Sequence, residues 1–185
     1  MITPQISTKR LTLRKHVQED IVQLQDILSD PEVMKLSGLD IYYYKKNAEA
    51  EQEWFKQLEN SDNGIRWIIT YTEDSLYLGD LGFLDIDKMN HRAEISYKLS
   101  RKQWNKGIIT EALRAVLSYG FDVLKLNRVT AQVHSSNSAS RYVLEKLGFE
   151  LEGTLREHEY LYGNYADVLV FGLIKRDYLQ LKSVS

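Results

Sequence analysis

Cysteine is absent from the chain. That removes disulfides, thiolate metal sites and any covalent intermediate carried on a cysteine sulfur. The four histidines, His16, His91, His134 and His158, are scattered and lack the spacing of a metal-binding helix motif, so no metal site is expected. Apolar runs are only a few residues long, which leaves no candidate for a membrane-spanning helix. No block of five like charges occurs and the formal net charge is −2, so neither nucleic acid nor a membrane surface is an expected partner. The opening MITPQISTKRLTLRK has no apolar core of a secretory signal, and a cytoplasmic location is expected. No internal repeat or low-complexity stretch is present. What remains is a chain of 185 residues with 43% apolar and 27% charged content, enough for one well-filled core, and a single domain over residues 1–185 is expected.

Alternation over residues 9–15 predicts a half-buried first strand, with Leu11 and Leu13 opposed to Thr12 and Arg14. Ile21, Leu24, Ile27 and Leu28 form the stripe of a helix that ends before Pro31. A loop at 37–45 carries Tyr42, Tyr43 and Tyr44, and an amphipathic helix marked by Ala50, Trp54, Phe55 and Leu58 follows. The three tyrosines either pack a helical cap or line a substrate mouth. Segments 65–71, 76–86 and 93–99 read as antiparallel strands, with Gly79 and Gly82 implying a bulge or a close backbone approach. The clearest helix of the chain carries Ile109, Ala112, Leu113, Val116, Leu117, Phe121 and Leu124 on one stripe. A strand at 128–134 comes next, then a helix over 138–147 with Asn137 as its N-cap and Gly148 as its stop. Strands near 151–160 and 165–174, joined by a YGN turn, complete a mixed sheet with helices on both faces.

Between the strand ending at Leu99 and the long helix lies the polar turn SRKQWNKGIITEA, residues 100–112. A turn of this kind leaves free backbone N–H groups at the positive end of a helix, and such groups bind phosphate. Two other phosphate-binding patterns, GxxxxGK[ST] and GxGxxG, are absent.

Three stretches taken in order, WNKGIITEALRAVLSYGFDVLKLNRV, NSASRYVLEKLGFELEGTLRE and GNYADVLVFGLIKRDY, resemble the GNAT superfamily of acetyl-CoA-dependent N-acetyltransferases. Within it they are similar to the branch of ribosomal-protein N-terminal acetyltransferases, the Rim type. The resemblance covers nearly the whole chain. It implies a GNAT fold of the α/β (α+β) class: a mixed, mostly antiparallel seven-stranded sheet whose central strand pair splays apart. It implies acetyl-CoA as cosubstrate, with its pyrophosphate on the backbone of Asn105, Lys106, Gly107, Ile108, Ile109 and Thr110. The family motif begins with Arg or Gln and has Gly at its fourth place and Gly or Ala at its sixth. Here those places hold Trp104, Gly107 and Ile109, so only Gly107 matches outright. Asn105 stands where the branch usually has a further glycine, and asparagine is the next most tolerant residue of positive φ.

Further roles follow from the same resemblance. Asn137 is expected to bond the pantetheine arm, and a backbone N–H near Leu99 to polarise the thioester carbonyl. Many GNAT enzymes place a tyrosine four residues before the Gly-Phe pair to protonate the leaving thiolate, and this chain has Leu144 there. Tyr142 is rotated about 200° from the required face, whereas Ser140 shares it and matches the serine of the branch. Glu159 matches the branch glutamate beside the substrate nitrogen, Glu94 competes with it as the base, and Asp167 is orienting or structural. The expected reaction is direct attack of an amine on acetyl-CoA in a ternary complex, most simply by a peptide N-terminal α-amine. A small-molecule amine such as a polyamine or aminoglycoside, and a catalytically silent acyl-CoA-binding domain, stay open, as does monomer against homodimer.

Overall fold

The computed structural model describes residues 3–37 and 48–184, so Tyr42, Tyr43 and Tyr44 lie outside the described residues. Among the described residues there are eight strands, β1 (Ile6–Ser7), β2 (Leu11–Arg14), β3 (Ile65–Tyr71), β4 (Gly79–Asp87), β5 (Arg92–Leu99), β6 (Arg128–His134), β7 (Glu150–Leu161) and β8 (Asn164–Ile174). They form one sheet in the order β1-β2-β3-β4-β5-β6-β8-β7. The expected count of seven is corrected to eight by β1, whose two residues pair with Leu13 and Thr12 and are too short for alternation to reveal. The helices are α1 (Ile21–Leu28), α2 (Pro31–Leu36), α3 (Ala48–Asn60), α4 (Ile108–Ser118), α5 (Ser138–Lys146) and α6 (Lys175–Val184).

Two of these helices escape the sequence reading. Pro31 does stop α1, but it also opens α2, where a fixed φ and a missing N–H cost nothing and the Asp30 carboxylate accepts the Glu32 N–H at 3.1 Å. Helix α6 follows β8 directly, and its Tyr178 ring stacks on Phe121 at 4.6 Å. Phe121 itself sits in a wider turn, Tyr119–Val123, where Leu124 N–H reaches back to Tyr119 O at 3.0 Å and so keeps the apolar stripe of α4 facing the core.

Alternation along β3 divides the interior. Ile65, Trp67 and Ile69 pack in one cluster with Leu113, Val116 and Leu117 of α4 and Leu144 of α5. Ile68 points the other way, among Leu24 of α1, Met34 of α2 and Phe55 of α3. Helices therefore cover both faces, as expected. Each fully buried side chain of this size contributes roughly 1.5–3 kcal/mol, so both layers hold the sheet.

All neighbouring strands are antiparallel except β5 and β6. These two run parallel and stay in register only through Arg92↔Arg128, Ala93↔Val129 and Glu94↔Thr130. Beyond Glu94 they diverge, while β5 remains paired to β4 as far as Leu99 and β6 to β8 as far as His134. This is the expected splay, and it opens a cleft in the middle of the sheet. Of the alternatives at Gly79 and Gly82, the structure has the close approach: a Cβ on Gly82 would lie 2.2 Å from Ile65 O. The irregularity in β4 falls later, between Leu84 and Asp87. Among the described residues no helix is long and apolar enough to cross a membrane.

Candidate active site

The turn before α4 takes the shape that its residues allow. Asn105 has φ +60° and Gly107 φ +71°, both left-handed, and Gly107 serves as N-cap without any side chain closing the helix end. The first intrahelical bond runs from Glu111 N–H to Gly107 O at 3.1 Å, so the N–H groups of Ile108, Ile109 and Thr110 precede the helical ladder. Trp104, at the place of the motif's Arg or Gln, acts as a wedge: its Nε1–H donates to Leu99 O at 2.9 Å and its ring packs against both apolar clusters. Lys106 is exposed, with Nζ donating to Gln103 Oε1 at 3.1 Å.

A clamp that the sequence did not disclose fixes this turn to the turn between β1 and β2. Arg10 Nε donates to Glu111 Oε2 at 2.7 Å, Arg10 Nη1 donates to Lys106 O at 3.1 Å, and Thr8 Oγ1 donates to Glu111 Oε1 at 2.6 Å. Partial burial of Glu111 raises its carboxyl, but these bonds from Thr8 and Arg10 outweigh it and hold the carboxyl below its ordinary value. Arg10 thereby sets a guanidinium beside Gly107, its Nη2 being 3.6 Å from where a Cβ would stand. The signal available in the sequence was Glu111 in the first turn of α4, a position where a carboxylate favours the helix dipole.

The splay of β5 and β6 continues from this turn into a cleft of about 930 Å³. Leu99, Trp104, Asn105, Gly107, Ile108, Ile109, Thr110, Asn137, Ser140, Glu94 and Glu159 all line it; of the expected site residues only Lys106 does not. Ser100 N–H is spent on the O of Leu78, just before β4, at 2.8 Å, so by strand alternation the N–H of Leu99 points to the opposite, splayed side. Leu144 is fully buried in the core and Tyr142 is 64% exposed at the cleft wall.

Asn137 caps α5 as its sequence position implies, with Oδ1 accepting Ser140 N–H at 3.0 Å. Its Nδ2 donates to Leu36 O at 2.7 Å, tying the start of α5 to the end of α2. One amide hydrogen remains for a ligand. Beside Ser140 stands Tyr97, a residue missed in the sequence because its position on β5 reads only as core alternation. Its hydroxyl is buried and has no hydrogen-bond partner. Burial pushes the phenol up to about 12, with Ser140 acting in the other direction.

Carboxylates gather at the far end of the cleft. Burial lifts the Glu94 carboxyl above its ordinary value; a bond from Gln132 Nε2 at 3.2 Å opposes this, and the charge of Asp85 adds to it. Glu159 pairs directly with Nε2 of the buried His134 at the end of β6. A bulge between Leu155 and Glu159 sets that geometry, because three residues of β7 face Asp167 alone on β8. Asp167 Oδ1 accepts the Glu157 N–H at 2.8 Å, and Glu157 has φ +51°. The aromatic pair Tyr160 and Tyr165, 5.0 Å apart, stays exposed on the adjacent hairpin and does not line the cleft. Among the described residues no three His, Asp or Glu side chains are grouped to hold a metal ion.

The uncapped helix end, the splayed strands and the unpartnered Tyr97 hydroxyl fit a long, phosphate-headed acyl carrier. Residues 10–150 match the model of the acetyltransferase (GNAT) domain. The chain belongs to the GNAT acetyltransferase family. This GNAT chain is 39% identical over 171 residues to the N-acetyltransferase p20 of Bacillus licheniformis, covering 92% of the chain and 96% of that relative. It is an acetyl-CoA-dependent N-acetyltransferase. Its fold is shared with spermidine N-acetyltransferase from Vibrio cholerae, solved with CoA and spermine (TM-score 0.83, 20% identity, 93% of this chain and 99% of that one). It is shared equally with RimL, a ribosomal alpha-N-protein acetyltransferase solved with coenzyme A (TM-score 0.82, 23% identity, 92% and 98%).

Proposed function

We propose that this GNAT enzyme, acting as a single domain, acetylates a primary amine, with the α-amine of a protein or peptide N-terminus as acceptor, as in the Rim branch. The observation that carries the reading is one cleft shared by the uncapped start of α4, Ser140, and the carboxylates Glu94 and Glu159. Acetyl-CoA supplies the activated acetyl group. The backbone from Asn105 to Thr110 holds its phosphates, with Arg10 adding positive charge nearby. The N–H of Leu99 polarises the thioester carbonyl, Asn137 offers its free amide hydrogen to the pantetheine arm, and Ser140 donates toward the departing sulfur. At the other end Glu159 and Glu94 attract the cationic acceptor, and a base at that end relieves it of a proton.

A polyamine acceptor is a second reading, favoured by the three carboxylates Asp85, Glu94 and Glu159 on the cleft wall. It draws support from the spermidine acetyltransferase of the same fold. Thiol release from acetyl-CoA, measured against N-terminal peptides, polyamines and aminoglycosides, decides between them. Peptides are expected to give the highest kcat/KM. Faster turnover of spermidine than of any peptide reverses the order, and no release with any amine despite CoA binding rejects catalysis.

A further inference from the structure

Glu159, the base implied by family resemblance, does not stand alone in the cleft. Its carboxylate lies against Nε2 of His134, whose side chain is 8% exposed. The other imidazole nitrogen, Nδ1, has no hydrogen-bond partner among the described residues, and His134 lines the cleft. A base whose far side is oriented by a carboxylate is the arrangement of activated sites on many unrelated folds.

Location separates this pair from the other histidine–carboxylate contact. His16 Nδ1 lies 3.3 Å from Glu59, beside the Phe55 ring, and lines no part of the cleft. His134, by contrast, closes β6 in register with Val168, and its carbonyl accepts the Asn137 N–H at 2.9 Å. Its backbone is thus held on both sides, by the sheet and by the start of α5. Glu159 is held by the bulge that Asp167 closes. Two separate devices therefore fix the two members of one pair.

We infer that His134 is the proton acceptor of the transfer reaction, and that Glu159 is its positioning residue. The inference rests on the acetyltransferase reading and deepens it. The acceptor enters as an ammonium ion and gives one proton to Nδ1, while the Glu159 carboxylate on Nε2–H stabilises the imidazolium. The freed nitrogen pair forms the C–N bond as the C–S bond breaks and its electrons leave on sulfur. Sulfur takes up a proton through Ser140, the nitrogen loses its second, and the balance is one amide, one thiol and one proton released. Besides the pair, the charged groups on the cleft wall are Asp85 of β4, Glu94 and Lys98 of β5, and Lys146 of α5.

The test uses the full chain with the best acceptor from the thiol-release panel. His134→Gln keeps an N–H for Glu159 and removes the base, so kcat is expected to fall about 10²- to 10⁴-fold with the acid limb of the pH profile lost. Glu159→Gln keeps a hydrogen-bond partner for the ring, so a loss of about tenfold with the acid limb retained is expected. Added imidazole restores turnover to His134→Ala and not to Glu159→Gln. CoA affinity and circular dichroism of each variant check the fold. His134→Gln with wild-type kcat, or loss of the acid limb in Glu159→Gln alone, overturns the assignment and returns the base to Glu159. A wild-type protein that acetylates no amine takes down the enzyme reading together with this one, a different and separable result.

Discussion

Asp167 closes the bulge that carries Glu159: its carboxylate accepts the Glu157 N–H at 2.8 Å, and two residues further along β7 Glu159 meets His134. Three successive residues of β7, Glu157, His158 and Glu159, thus connect the half-buried Asp167 to His134.

Removing that closure should loosen the pair without touching the cofactor. Asp167→Ala is expected to lower kcat about tenfold while CoA affinity, measured by calorimetry, is unchanged. Asp167→Asn retains an oxygen for the same N–H and is expected to keep most of the activity, which separates positioning from charge.

At the phosphate turn the left-handed conformation is the sensitive feature. A β-branched residue at φ +71° is strained by roughly 1–2 kcal/mol, and about 1.4 kcal/mol is tenfold in affinity. Gly107→Val is expected to raise the Kd for acetyl-CoA about tenfold or more with the fold intact. Asn105→Gly, which keeps φ +60° accessible, is expected to leave it within about twofold. Undiminished binding by Gly107→Val would contradict the cradle.

Ser140→Ala should slow turnover by about tenfold to a hundredfold rather than abolish it, because a thiol with a pKa of about 8.5 already leaves tolerably well. Under chemistry-limited conditions an unchanged kcat rejects the role. Tyr97→Phe combined with Ser140→Ala then shows whether the two hydroxyls act together, a non-additive loss being the sign of coupling.

Stability at low pH should depend on a buried cluster behind the cleft. Burial opposes ionisation of Asp80, but Arg66 and Lys98, together with the Tyr77 hydroxyl, outweigh it and hold the carboxyl below its ordinary value. Arg66 Nε donates to Asp80 Oδ1 at 2.7 Å, and Asp80 is fully buried. With the folded value below an unfolded one of about 3.9, this stabilisation is complete above pH ~4 and is lost as pH falls through the folded value. Asp80→Asn leaves the buried Arg66 guanidinium without its carboxylate, while Lys98 keeps Glu51, and is expected to cost about 3–5 kcal/mol at neutral pH. The difference from wild type, followed by urea denaturation, should shrink below pH ~4.

Much of the fold was legible where one period ran long enough. The stripe on α4 and the alternation in β3 each declare a buried face, and Asn137 declared its cap. Short or late elements were not: β1 has two residues, α2 begins at the proline taken for an end, and α6 follows β8 without a break. At the site, the left-handed turn was readable through Asn105 and Gly107, since left-handed φ is a property of residue type. The His134–Glu159 and Arg10–Glu111 pairs were not, because they join residues 25 and 101 positions apart and depend on a bulge and a strand edge that one sequence does not display.

The parting of β5 and β6 leaves two strand edges facing each other inside the sheet. Outer edges invite other chains, but these are flanked by paired strands and lead to a helix end, a geometry suited to an arm with amides of its own, joined as a short added strand. Recognition by main chain asks little of side chains. Trp104, Asn105 and Ile109 stand where the family motif has other residues, so drift along this cleft should alter affinity gradually, whereas drift at His134 should remove most of the turnover.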